Sequence, residues 1–234
     1  MQIALFNGFE GILFLLRWMH FFFGIVWIGL LYYFNFVHGA FMAEADAAAK
    51  PSALTKLLPR ALWWFRWGAM WTMVSGLLTL MIRGHQGGFG VFTTSWGVLI
   101  LIGTLFGLTM WFNVWFVIWP CQKVVIANAE NVAAGKPADP NAAASAARAS
   151  LASRTNTLMS VPLLFFMGAA SHLPVAITAE SNLGLLAILV LIVWAISEGN
   201  GLKGKMGPIA SIKGVIHMGF VMTVILYIIV EMCA

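Results

Sequence analysis

Residues 9–37 read FEGILFLLRWMHFFFGIVWIGLLYYFNFV, an apolar run broken by only two charges, Glu10 and Arg17. A helix rises about 1.5 Å per residue, so this run is long enough to cross a hydrocarbon layer about 30 Å thick. Comparable blocks recur at 61–82, 95–119, 156–177, 183–201 and 208–231. Inside a bilayer every backbone N–H and C=O needs a partner, and a helix supplies those partners within itself. The expected fold is therefore all-α, a polytopic helical bundle of about six transmembrane helices forming one transmembrane domain over residues 1–234. The fifth block reaches a full crossing only if it continues through Glu198 to Gly201, which leaves a carboxylate near a membrane boundary.

Composition agrees. Of 234 residues, 61% are hydrophobic and 9% charged, against about 25% charged in soluble domains, and the mean hydropathy is +0.91. A soluble enzyme, a disordered tail and a disulfide-stapled module are excluded. Arg17 falls inside the first apolar block instead of ahead of it, so that block is expected to be a retained helix and not a cleaved signal. The net charge of +5 comes from basic residues in short connections, with no basic stripe or nucleic-acid motif.

Those connections set an orientation. Lys50, Lys56 and Arg60 lie in the first, Lys123, Lys136, Arg148 and Arg154 in the third, and Lys203 and Lys205 in the fifth, whereas the opposing loops carry Arg83. The positive-inside rule makes the basic connections cytoplasmic and places both termini outside. The loop 120–155, rich in Ala and interrupted by Pro137 and Pro140, is expected to form two short helices at the cytoplasmic surface.

Histidine in hydrocarbon needs partners for its ring nitrogens and is a functional candidate. His20, His172 and His217 fall within spans, His38 at the inner end of the first, and His85 in an outer loop. Each could form an interhelical hydrogen bond or bind a metal. Imidazoles from facing helices suit haem iron, and no Cys-x-x-Cys-His motif exists for covalent attachment, so the candidate cofactor is non-covalent haem b, one or two per chain. Glycines one turn from the histidines, Gly24, Gly168 and Gly214, would make room for a macrocycle. Arg17, Lys213 and Arg66 are candidate propionate partners, although Arg17 and Lys213 could also snorkel and Arg66 could stack on interfacial indoles. By depth, His20 and His172 could bracket an outer haem, with His217 and His38 left for an inner one; a single haem held by His20 and either His172 or His217 satisfies the sequence equally. Gly103 and Gly107 predict a close helix contact, and Asn113 a buried amide bonded across helices or to a bound group.

The stretch Arg17-Trp18-Met19-His20, continuing through Gly24, Trp27-Ile28-Gly29 and Tyr32-Tyr33-Phe34-Asn35-Phe36, resembles the first helix of the membrane domain of bacterial cytochrome-c-coupled urate oxidases, or urate hydroxylases. The likeness continues in Pro59-Arg60-Ala61-Leu62-Trp63-Trp64-Phe65-Arg66-Trp67-Gly68, in Trp111-Phe112-Asn113-Val114-Trp115-Phe116-Val117-Ile118-Trp119-Pro120, in Ser153-Arg154-Thr155-Asn156-Thr157 and in Met167-Gly168-Ala169-Ala170-Ser171-His172. The resemblance implies a helical inner-membrane domain whose histidines suit haem and whose longer relatives carry a C-terminal c-type cytochrome that takes electrons from urate. No such cytochrome occurs within these residues, so a separate c-type cytochrome on the outer face is the expected partner. Quinol or urate is the candidate reductant, and a haem-free accessory subunit of a respiratory complex is the competing expectation.

Overall fold

The computed structural model describes Leu5 and residues 8–234, and among them there are helices and turns but no strand. Six long helices carry the architecture. They are α1 (Gly8–Glu44), α2 (Leu58–Gly87), α3 (Ser95–Ala133), α4 (Ala142–His172), α5 (Leu183–Lys203) and α6 (Ile212–Cys233). α1, α3, α5 and α6 are each long and apolar enough to cross a membrane. The other two are as long but more polar, for different reasons. α2 carries Arg60, Arg66 and Arg83, whereas α4 is the central helix, packed on α3, α5 and α6, and its polar side chains meet protein instead of lipid.

Local signals place the helix starts. The side chains of Thr94, Asn182 and Ser211 each accept a hydrogen bond from a backbone N–H three residues on, satisfying donors that the first turn leaves free. The α2–α3 turn needs Gly88, at φ +67°, where a side chain would be strained.

Contacts between helix ends give the direction of each crossing. Arg83 pairs with Glu10 at 3.5 Å, the Val175 N–H donates to Ser95 Oγ at 2.9 Å, and the Asn182 N–H donates to the Cys233 carbonyl at 2.8 Å. The start of α1 and the finish of α6 therefore share one end of the bundle, here the terminal end. The basic connections gather at the opposite, loop end. An even number of antiparallel helices requires this, and it matches the expectation of both termini on one side.

The expectation for 120–155 is corrected. α3 runs without a break through Pro120 to Ala133, and 142–155 form the first turns of α4, so the expected surface helices are extensions of spanning ones. Proline is tolerated at 120 because the preceding stretch, Asn113–Ile118, widens into a π-helical turn in which the Trp119 N–H bonds Val114 O, five residues back. That shift makes room for a ring that would otherwise clash with the turn before it. A second π-helical turn, Tyr33–His38, lies in α1.

The expected close contact on Gly103 and Gly107 is present. A side chain at Gly103 would press on Met167, and one at Gly107 would touch Leu163, both of α4. On the other side Gly68 of α2 lets the backbone of Phe23 and Trp27 approach, so α1 leans on α2 at close range.

Candidate functional site

His20 is half-buried between α1 and α2, and its Nδ1 lies 2.9 Å from the Thr72 carbonyl oxygen. A carbonyl can only accept, so Nδ1 carries the proton and Nε2 keeps its lone pair. The Ser75 hydroxyl, 3.4 Å from the same Nδ1, donates to backbone carbonyls of its own helix. Gly76 completes the crevice: a β-carbon there would stand 3.0 Å from His20 Cε1 and 3.2 Å from Nδ1, displacing the ring. The chain thus offers an imidazole fixed at one nitrogen and available at the other, the arrangement that orients a metal-ligating histidine.

The other expected ligands lie elsewhere. His172 is exposed at the C-terminal end of α4, and His217 is exposed on α6. The hydrogen bonds joining α1 to α4 are Tyr32–Ser160 and Asn35–Ser153, and Tyr32 is about 18 Å along α1 from His20. His172 is likewise 12 residues from Ser160 on the antiparallel α4, so His20 and His172 stand at about the same level toward the terminal end, although no hydrogen bond joins them. His38 is buried, its Nδ1 3.4 Å from the Tyr33 hydroxyl and its ring edge-on to Phe34. Among the described residues no hydrogen bond or ring contact links two histidines, and no three His, Cys, Asp or Glu side chains come together. His85 meets Phe9 edge-on at the terminal end.

The glycine and cation expectations divide. Gly24 faces Thr72, whose methyl would lie 3.9 Å from an added β-carbon, and Gly168 opens onto free space. Gly214 makes no room for a ligand, because a side chain there would overlap the Pro208 carbonyl and its N–H caps onto Ser211. Arg17 is exposed with Nε 3.3 Å from the Leu13 carbonyl, and Lys213 is exposed. Arg66 takes the stacking role: its guanidinium lies 3.4 Å from the Trp119 ring centre and 5.6 Å from that of Trp115. The indoles come from α3, not from the Trp63-Trp64-Trp67 run beside it in sequence.

A second polar site lies in the core. Asn113, Asn156 and Thr155 are 0% exposed and Glu198 is 7% exposed. Asn113 Nδ2 donates to Asn156 Oδ1 and to Glu198 Oε2, both at 3.0 Å, and Asn156 Nδ2 donates to the Met110 carbonyl at 3.0 Å. The histidine pattern in the sequence does not point to Asn156, nor to Thr72, Ser75 and Gly76 around His20. A signal was available for Asn35 and Asn113. Each follows a Phe inside an aromatic run, each falls in a π-helical turn, a feature that often marks functional positions, and each bonds a polar residue of α4.

A cleft of about 550 Å³ opens between α1, α4 and α6, walled by Tyr32, Phe36, Val161, Phe165 and Phe220. None of the expected ligands lines it.

A family model for the N-terminal part of urate oxidase matches residues 87–230, more than half of the chain. The chain belongs to the urate oxidase N-terminal family. The matched segment begins at the end of α2 and contains α3, α4, α5 and nearly all of α6, with Asn113, Asn156 and Glu198 inside it and His20 outside it. No curated protein and no solved structure matches the chain.

Proposed function

We propose that this urate oxidase N-terminal family member is a b-type haem protein of a bacterial inner membrane that passes electrons to a c-type cytochrome at the terminal end. The observation that carries the reading is His20: Nδ1 bonded to Thr72 O, Nε2 free, and Gly76 in place of any side chain against the ring. His20 would hold the iron and Arg17, exposed one turn away, would meet the propionates. Haem bound there would supply one-electron storage between ferrous and ferric iron. The chain's own part is to fix the imidazole tautomer through Thr72, hold the ring plane against Gly76, and keep the crevice within the apolar surface of α1 and α2. One haem per chain is proposed because, among the described residues, His20 is the histidine whose ring nitrogen bonds the backbone of another helix; His172, at about the same level, and His217 would be candidates for a second iron ligand.

The second reading is urate oxidation with a separate cytochrome as acceptor, favoured by the family match. The basic connections favour the loop end as cytoplasmic.

The test is a pyridine haemochrome assay on protein folded with haem supplied. Stoichiometric extractable haem is expected in the wild type, with at least a tenfold loss in His20→Ala and no change in His85→Ala. Colourless wild-type protein would remove the haem reading and leave the accessory-subunit one. Adding urate and an oxidised c-type cytochrome to the same preparation separates relay from urate oxidation, through reduction of the cytochrome.

A further inference from the structure

The amide network in the core contains one atom with no partner. Asn156 Nδ2 faces the Met110 carbonyl, which only accepts, so Asn156 cannot be turned over and its Oδ1 must face Asn113. The Asn113 atom meeting that oxygen is then necessarily the NH₂ group, and its second hydrogen goes to Glu198 Oε2. Both hydrogens are spent. Asn113 Oδ1 is fixed by this chain of constraints, lies buried, and has no donor.

A buried acceptor without a donor is costly, and so is a buried carboxylate without a cation. Among the described residues the only ion pair is Arg83–Glu10, at the terminal end, so Glu198 has none within 4.0 Å. The helices packed on α5 place no cation within 4.0 Å of Glu198: α3 has no charged residue between Ser95 and Ile118, and Lys213 and His217 on α6 are exposed, as is Glu231. On α4, Arg154 has an unpartnered buried Nη1, yet it makes no ion pair with Glu198. One proton resolves both deficits. A protonated Glu198 that keeps accepting from Asn113 Nδ2 through Oε2 would have an O–H to donate to Asn113 Oδ1, closing an acid–amide ring that buries no net charge.

We propose that Glu198, Asn113 and Asn156 form an intramembrane proton-binding site whose ligand is a proton held between Glu198 and Asn113 Oδ1. The site lies toward the loop end of the bundle. Thr155, whose Oγ1 is also buried and unpartnered, sits against Gly201 one turn closer to that end and is the next polar group along the α4–α5 seam. Binding adds the proton to the carboxylate, and release returns it; no electron moves. The proposal is independent of the haem reading, because its readout is the carboxyl group itself.

The experiment is infrared spectroscopy of the full chain in lipid nanodiscs at neutral pH, in H₂O and in D₂O. A protonated-carboxyl C=O band is expected above the amide I region, moving down in D₂O, absent in Glu198→Gln, and displaced in Asn113→Leu. Glu198→Gln keeps the acceptor oxygen, so it is expected to fold. Should it not, wild-type chain labelled with ¹³C in its glutamate carboxyls gives the same answer, since Glu10, Glu44, Glu130, Glu180 and Glu231 are all exposed and Glu198 alone is buried. Absence of the band in the wild type overturns the proposal. So does a band that survives Glu198→Gln, or carboxylate bands that respond to sodium or potassium, which would make the ligand a metal cation.

Discussion

α1 and α3 are both long apolar helices with an asparagine in a π-helical turn, yet 17% of the most apolar window of α1 is buried within the protein against 56% in α3. α1 rests mainly on α2, and Trp18, Phe21, Phe22 and Ile25 on its other faces point away from the bundle. α3 packs along α4 and places Phe106 and Met110 in the core. Equal hydropathy therefore supports two kinds of helix, one solvated by lipid and one by protein. A polar residue on each has a different use. His20 lies half-buried at a two-helix edge, where the proposed haem would meet lipid and not the core, whereas Asn113 is fully enclosed by α4 and α5 and matches the small ligand proposed for it.

The largest effect that tests this contrast is expected from Asn156→Ala. It removes the donor to the Met110 carbonyl and the acceptor for Asn113 at a site with no access to water. The cost is about 2–3 kcal/mol, read as a lower unfolding midpoint in detergent. A change within error would mean that the core network is hydrated and that the two regions do not differ in kind.

Gly76→Leu should come next, at about 1–2 kcal/mol, because the new side chain enters an edge where α1 can shift outward. Its sharper readout is haem: retention should fall severalfold, whereas Gly90→Leu, in the α2–α3 turn and open to free space, leaves it unchanged. Equal loss in both would move the ligand site away from the α1–α2 crevice.

The same contrast explains what the sequence could and could not reveal. Six helices, their order and the shared end of the first and last follow from block length and number, and the glycine contact of Gly103 and Gly107 from their four-residue spacing, all of them local properties. The continuity of α3 through Pro120 was hidden because a π-helical turn has no residue code, and proline alone argues for a break. His20 was legible as polarity in an apolar block. Its partners were not, since Thr72, Ser75 and Gly76 become meaningful only once the rotation of α2 against α1 is known. Arg66 shows the same limit: Trp63, Trp64 and Trp67 surround it in sequence, but the helix turns it toward Trp119. The core network was the least legible, because each amide is ordinary alone and their convergence on Glu198 depends on three helices meeting.

The smallest effect is expected where charge and exposure combine. Glu10 and Arg83 lie 3.5 Å apart at the terminal end, with side chains 65% and 34% exposed. Water and salt screen such a pair, and two long side chains lose rotamer freedom to make it, so exposed ion pairs contribute about 0–1 kcal/mol. Arg83→Gln should therefore lower the unfolding midpoint by less than Asn156→Ala or Gly76→Leu, and the difference should shrink further at high salt. If α1 were instead held to α2 by this contact, the substitution would loosen α1 as a whole and expose the backbone of Phe23 and Trp27, which now sits against Gly68. Amide hydrogen exchange along α1 distinguishes the two cases: protection unchanged beyond the first turns assigns the α1–α2 interface to glycine-mediated close packing, and protection lost through Trp27 assigns it to the ion pair.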